Sequence, residues 1–105
     1  MELVRTKTFV RSAKTFGASE ADLAALEAAI AADPEAGDVI KGLKGVRKIR
    51  FAMGGQGKRG GGRAIYLVLR VRDTAYLLLA YAKADQADLS SAQRKAILAF
   101  LETLK

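Results

Sequence analysis

At 105 residues, half of them apolar, the chain is sized for one small domain with a real core. It has no cysteine and no histidine, which excludes disulfides, thiolate metal sites and every nucleophile or base system built on imidazole, and leaves any zinc site to carboxylates alone. A net charge of +7, from 18 Lys and Arg against 11 Asp and Glu, favours a polyanionic partner.

Glu2 to Thr6 reads as a short opening strand. From Lys7 to Phe16, Phe9, Ala13 and Phe16 recur at helical spacing, and Gly17 ends that element. Ser19 is a good N-cap, Asp22 complements the first-turn amides, and Leu23, Leu26 and Ile30 predict an amphipathic helix to Ala32. Asp33-Pro34 stops it, because the residue before proline avoids helical backbone. Glu35 to Gly45 is turn-rich. Val46 to Ala52 alternates as a strand, with Arg47, Ile49 and Phe51 on one face and Val46, Lys48 and Arg50 on the other. Gly54 to Gly62 is too glycine-rich for a strand interior or a helix. Arg63 to Val71 and Ala75 to Ala82 are strands joined by a turn at Arg72-Asp73-Thr74. Ser90 and Gln93 then form a capping box before a helix to Leu104 with Ile97, Leu101 and Leu104 on its buried side. Phe9, Phe16 and Phe100 are assigned to the core. The whole is an α+β domain, residues 1–105: a small, mostly antiparallel sheet with two N-terminal helices and one C-terminal helix.

No apolar run approaches the roughly 20 residues of a membrane helix. Met1 to Lys7 lacks the apolar centre of a secretory signal. The expectation is a cytoplasmic protein without a membrane partner.

The charge is unevenly spread. Between Val39 and Arg72 there is no acidic residue, but there are ten cations: Lys41, Lys44, Arg47, Lys48, Arg50, Lys58, Arg59, Arg63, Arg70 and Arg72. Gly55 to Gly60 spells G-x-G-x-x-G, yet a dinucleotide site needs a helix after that motif, and here a strand follows. A P-loop needs Ser or Thr after Lys58 and finds Arg59. What survives is a strand-to-strand loop carrying Lys58, Arg59 and Arg63 towards phosphate, its glycines letting backbone amides approach the anion.

Three blocks of sequence, Ala36 to Ile40, Gly45 to Phe51 and Gly57 to Tyr66, together with Leu78 to Lys83 and Asp88 to Ser90, resemble the RelE/HigB toxins of bacterial type II toxin–antitoxin systems. Lys44 departs from the glycine common at that position, Phe51 from tryptophan and Arg59 from serine. The resemblance implies a ribosome-dependent mRNA endonuclease that is neutralised by a cognate antitoxin and uses no metal or cofactor. In such an enzyme the ribose 2′-hydroxyl attacks the adjacent phosphate, leaving a cyclic phosphate and a 5′-hydroxyl.

That reaction needs a proton acceptor, charge stabilisation on the phosphorane and a proton donor. The rigid guanidinium fork suits the second task, which falls to Arg63. Lys58 or Lys83 is the expected base, since a lysine among cations is more readily deprotonated. Tyr81 and Tyr66 are candidate donors or stacking partners, Tyr81 sharing a strand face with Lys83. The expected catalytic set is therefore Lys58, Arg63, Tyr81 and Lys83. Arg47, Lys48, Arg50, Arg59, Tyr66, Arg70 and Arg72 are assigned to RNA binding. Asp85 and Asp88 are read as helix-start partners. The alternatives are a ParE-like DNA gyrase poison, whose relatives lack this set, and a non-catalytic RNA- or ribosome-binding module.

Overall fold

Two strands dense in aliphatic and β-branched residues form the centre of the molecule, which is a computed structural model describing residues 1–53 and 61–104. These are β4 (Gly62–Leu69) and β5 (Thr74–Ala82), antiparallel and paired from Gly62↔Ala82 to Leu69↔Thr74. β3 (Arg47–Phe51) pairs antiparallel with β4. β1 (Glu2–Arg5) lies along the other side of β5, parallel to it. With the two-residue β2 (Asp38–Val39), the sheet order is β1-β5-β4-β3-β2. The antiparallel run of three consecutive strands is as expected, while β2 was hidden inside the turn-rich passage.

Each face of the sheet carries its own core. On one face lie α1 (Lys7–Thr15) and α2 (Glu20–Ala32), whose Phe9, Ala13, Leu23, Leu26 and Ile30 pack with Phe51, Ala64, Tyr66 and Leu77. On the other lies α3 (Ser91–Glu102), whose Ile97 packs with Val46, Ile65, Leu67, Leu79 and Tyr81. Alternation along the strands makes both cores possible, because successive side chains enter opposite faces. The predicted capping box forms at α3, where Ser90 accepts from the Gln93 amide at 3.1 Å, and the predicted N-cap Ser19, which accepts from the Asp22 amide at 3.0 Å, proves to be a second such box.

The β4–β5 connection differs from the predicted three-residue turn. Arg70–Arg72 wind into a 3₁₀ turn and Asp73 takes left-handed backbone (φ 48°), so β4 ends at Leu69 and Val71 stands 95% exposed. Lys44 also has positive φ, 56°, at the departure from glycine noted above. Left-handed backbone costs an ordinary residue roughly 1–2 kcal/mol, partly offset by the unfolded-state entropy that glycine adds. Lys44→Gly is therefore expected to stabilise the fold by about 0.5–1 kcal/mol, read as a higher urea midpoint with unchanged slope.

Candidate active site

The cationic block of the sequence is divided by the pleat and by strand length. Arg50 lies opposite Arg63, and Arg63 lies opposite Tyr81, so one row of the sheet carries Arg50, Arg63 and Tyr81 on the α3 face. Lys48 is two residues along β3 from Arg50 and therefore shares that face. Just past β5, the Lys83 amide donates to the Gly61 carbonyl at 3.1 Å, extending the ladder by one residue and holding Lys83 beside the row. Lys48, Arg50, Arg63 and Lys83 line a single cavity of about 210 Å³, together with Asp38 and Ala87.

Arg63 sets the character of this cavity. It is only 6% exposed, and its one side-chain hydrogen bond among the described residues goes from Nη1 to the Gly62 carbonyl at 3.1 Å. It has no carboxylate partner among those residues. Arg5 shows the contrast: it donates to Glu27 at 2.7 and 3.0 Å and to Glu20 at 2.6 Å. The Glu27 and Glu20 bonds push that guanidinium further above its already high pKa. Arg5 is a structural cation with its charge answered. Arg63 is a buried cation left facing a hollow, an arrangement that disfavours folding unless an anion completes it.

The loop after β5 forms the opposite wall. Gln86 Nε2 donates to the Asp88 carbonyl and to Gln93 Oε1, both at 2.9 Å, which ties the loop to the start of α3. Asp88 Oδ1 accepts from the Leu89 amide at 2.8 Å and sits 3.8 Å from Lys48 Nζ. Asp88, read as a helix-start partner, lies two residues before the N-cap Ser90 and bonds an amide outside α3, and it also holds a cavity lysine. Asp38 and the Asp88–Lys48 pair escaped sequence reading. Forty residues separate the two partners of that pair, and only sheet register brings them together.

Several expected binding residues lie elsewhere. Arg47 points to the α2 face, opposite Tyr66, and donates to the Gly37 carbonyl at 2.7 Å and the Glu35 carboxylate at 3.4 Å. Arg70 pairs with Glu35 at 3.4 Å, and Arg72 donates to Tyr76 Oη at 3.1 Å and to the Leu104 carbonyl at 3.3 Å. Both sit at the far end of β4 from Arg63, about 20 Å away at roughly 3.3 Å per residue. Lys58 and Arg59 lie outside the described residues.

The two tyrosines are corrected more sharply, both being 0% exposed. Tyr66 was expected on an RNA-binding surface. Its hydroxyl instead donates to the Pro34 carbonyl and accepts from the Gly37 amide, both at 2.9 Å, closing the passage between α2 and β2. The Tyr81 ring is sealed in the α3-side core, where it cannot stack on a base, and its hydroxyl has no hydrogen-bond partner among the described residues. Burial raises the pKa of both phenols; the Asp88 charge adds to the rise at Tyr81, and Arg63 opposes it.

A phenol that resists ionisation only when folded makes the fold lose stability as pH rises from its ordinary pKa of about 10 towards the folded value, whatever the neutral group costs below that range. Tyr81→Phe removes a buried polar atom without a partner among the described residues. It is expected to raise stability at neutral pH by about 1 kcal/mol and to flatten the alkaline loss, as measured by urea midpoints from neutral pH upward.

Among the described residues, no helix is long and apolar enough to cross a membrane. Solved structures share the fold, and two show the degree of likeness. A free-state E. coli RelE toxin carrying two arginine-to-alanine substitutions superposes with a TM-score of 0.58 at 14% identity, covering 82% of this chain and 86% of its own. A crystal structure of the isolated E. coli RelE toxin gives 0.59 at 16% identity, covering 94% of this chain and 97% of its own. At those identities the likeness is one of fold. The family assignment comes from sequence: the model of the RelE toxin of the RelE/RelB toxin–antitoxin system matches residues 1–104. With its length matched almost end to end, this chain belongs to the RelE toxin family.

Proposed function

We propose that the protein is an mRNA endonuclease that works on the ribosome, cleaves without a metal and is held inactive by a cognate antitoxin. The observation that carries this reading is Arg63: buried, without a carboxylate among the described residues, and opening on a cavity shared with Lys48, Arg50 and Lys83. Such a cavity favours a phosphate, and the resemblance to the RelE/HigB toxins implies a message as its source.

In the reaction, the ribose 2′-oxygen forms a bond to the adjacent phosphorus as the bond from phosphorus to the 5′-oxygen breaks. The proton of the 2′-hydroxyl passes to a base, and the departing 5′-oxygen receives a proton. The products are a 2′,3′-cyclic phosphate and a 5′-hydroxyl. Arg63 holds the non-bridging oxygens while charge develops on them, with a gain concentrated in the transition state because the guanidinium is already in place. Lys83 lies beside it, and it or Lys58 is the base. Lys48 and Arg50 hold flanking phosphate, to which Arg59 adds. Tyr81, buried opposite Arg63 in the sheet, supports that strand position and does not touch RNA.

Purified toxin added to ribosomes carrying a defined message is expected to give discrete fragments whose ends map by primer extension and whose 5′ ends accept phosphate from polynucleotide kinase without prior phosphatase treatment, as 5′-hydroxyl ends do. Message left intact overturns the proposal. DNA breaks formed with gyrase in its place would move the chain to the gyrase-poison reading.

A further inference from the structure

Two charges of opposite sign stand unanswered in the cavity. Arg63 is one. The other is Asp38, the first residue of β2. Its side chain has no hydrogen bond and no ion pair among the described residues, although Lys48, Arg50, Arg63 and Lys83 line the same hollow. By contrast, Glu35 is engaged by Arg47 and Arg70, and Asp88 by Lys48. Sheet register sets the separation. Asp38 stands opposite Lys48, so both side chains enter the α3 face. Lys48 in turn stands opposite Ile65, with Arg63 two residues before it. Asp38 and Arg63 are therefore two strand spacings apart and two residues out of step, about 12 Å between Cα atoms. The ladder fixes both backbones, and the hollow lies between the two charges.

An occupant that answers both charges carries an anion at one end and hydrogen-bond donors at the other. A nucleotide does so, with its phosphate on Arg63 and its donors on Asp38. A carboxylate only accepts, and its two oxygens are best matched by two donors side by side. Within an RNA strand the ribose 3′-oxygen is esterified, so the sugar offers one hydroxyl at most. Among the bases, only the pairing edge of guanine presents two adjacent donors, N1–H and N2–H. Adenine and cytosine place a ring-nitrogen acceptor beside the amino group, and uracil sets its one N–H between two carbonyls. Each of these brings a lone pair against the second carboxylate oxygen, which selects against it.

We propose that Asp38 is a specificity-determining residue that reads a guanine beside the cleaved linkage. Its two oxygens accept from N1–H and N2–H while Arg63 holds the phosphate. The lone acid in a cationic cavity then gives up some attraction for RNA in general and gains a preference among messages. The inference deepens the reading of this cavity as a message-cleaving site and rests on it.

The test uses the full-length toxin and ribosomes programmed with messages that differ only in the nucleotide on one or the other side of the linkage. Affinity is read on messages made uncleavable by a 2′-O-methyl group at the attacking position, and single-turnover cleavage on unmodified ones. Wild type is expected to favour guanosine over adenosine about 10–100-fold on one side of the linkage in both measurements, as a bidentate base contact does. Asp38→Asn offers one donor and one acceptor and is expected to favour adenosine instead, while Asp38→Ala is expected to discriminate less than about threefold. Asp38 is exposed, and its pairing with Lys48 is through backbone, so both variants keep the fold. Ratios between bases are decisive because loss of a negative charge alone strengthens binding of every message alike. Equal wild-type affinity for the four bases on both sides, or a guanosine preference that survives in both variants, overturns the proposal. Loss of all cleavage by both variants with guanosine still bound best places Asp38 in the proton transfer and overturns it as well. Affinity is measured on uncut RNA, so guanosine selection by a toxin that cleaves nothing would sink the nuclease reading alone.

Discussion

Arg63→Ala is expected to lower single-turnover cleavage of ribosome-bound message by about 10²–10³-fold, the usual effect of removing one preorganised donor to a developing oxyanion. Arg63→Lys should restore little of it, because an ammonium is a point charge and cannot span two phosphate oxygens as the guanidinium fork does. Neither change should impair folding. Arg63 is buried with a single backbone acceptor among the described residues, so its charge opposes the native state. Arg63→Met, which fills similar space without charge, is expected to unfold at higher urea than wild type while cutting no message. This divergence separates a catalytic arginine from a structural one, since loss of a structural arginine lowers stability and activity together. A cleavage rate for Arg63→Ala within threefold of wild type would remove Arg63 from the mechanism.

Gly37→Ala is expected to destabilise the fold by about 2–3 kcal/mol, the range for overpacking combined with loss of a buried hydrogen bond. The cause is space. A Cβ on Gly37 would lie 2.8 Å from the Lys48 carbonyl oxygen and 2.9 Å from both the Tyr66 ring and its hydroxyl. The Lys48 contact is backbone and cannot rotate away. Relief requires β2 to move from β3 or Tyr66 to release the Gly37 amide and the Pro34 carbonyl. For a domain of this size the loss is a large part of the total stability. Because β2 borders the strand that carries Lys48 and Arg50, and its own Asp38 lines the cavity, cleavage should fall too. Urea unfolding followed by circular dichroism gives the first effect and primer extension the second. An unchanged urea midpoint would mean the close approach at Gly37 is not rigid.

Much of the fold was legible because it rests on local chemistry. Ser19 with Asp22 and Ser90 with Gln93 mark helix starts by side-chain bonds three residues long, and the strand alternation told Arg47 apart from Lys48 and Arg50. Using that alternation fully would have excluded Arg47 from the cavity. β2 was not legible, since two residues carry no periodicity and Asp38 becomes a strand residue only through its partner Lys48. The burial of Tyr66 and Tyr81 was not legible either. Tyrosine suits a strand surface and a strand interior equally, and its placement here depends on α2 and α3 arriving from elsewhere in the chain. Of the eight described cations in that stretch of sequence, the structure brings Lys48, Arg50 and Arg63 into the cavity and recruits Lys83 from beyond the stretch. Linear density of charge therefore marks the neighbourhood of the site and overstates its membership.

The parallel pairing of β1 with β5 has a consequence for how the toxin is born. The strand made first has no neighbour until Thr74 to Leu77 have been synthesised, and the cavity lacks its last lysine until position 83. A growing chain still attached to the translating machinery cannot assemble a working site from its early segments. On the proposed reading, the chain is therefore largely finished before it can act on the apparatus producing it.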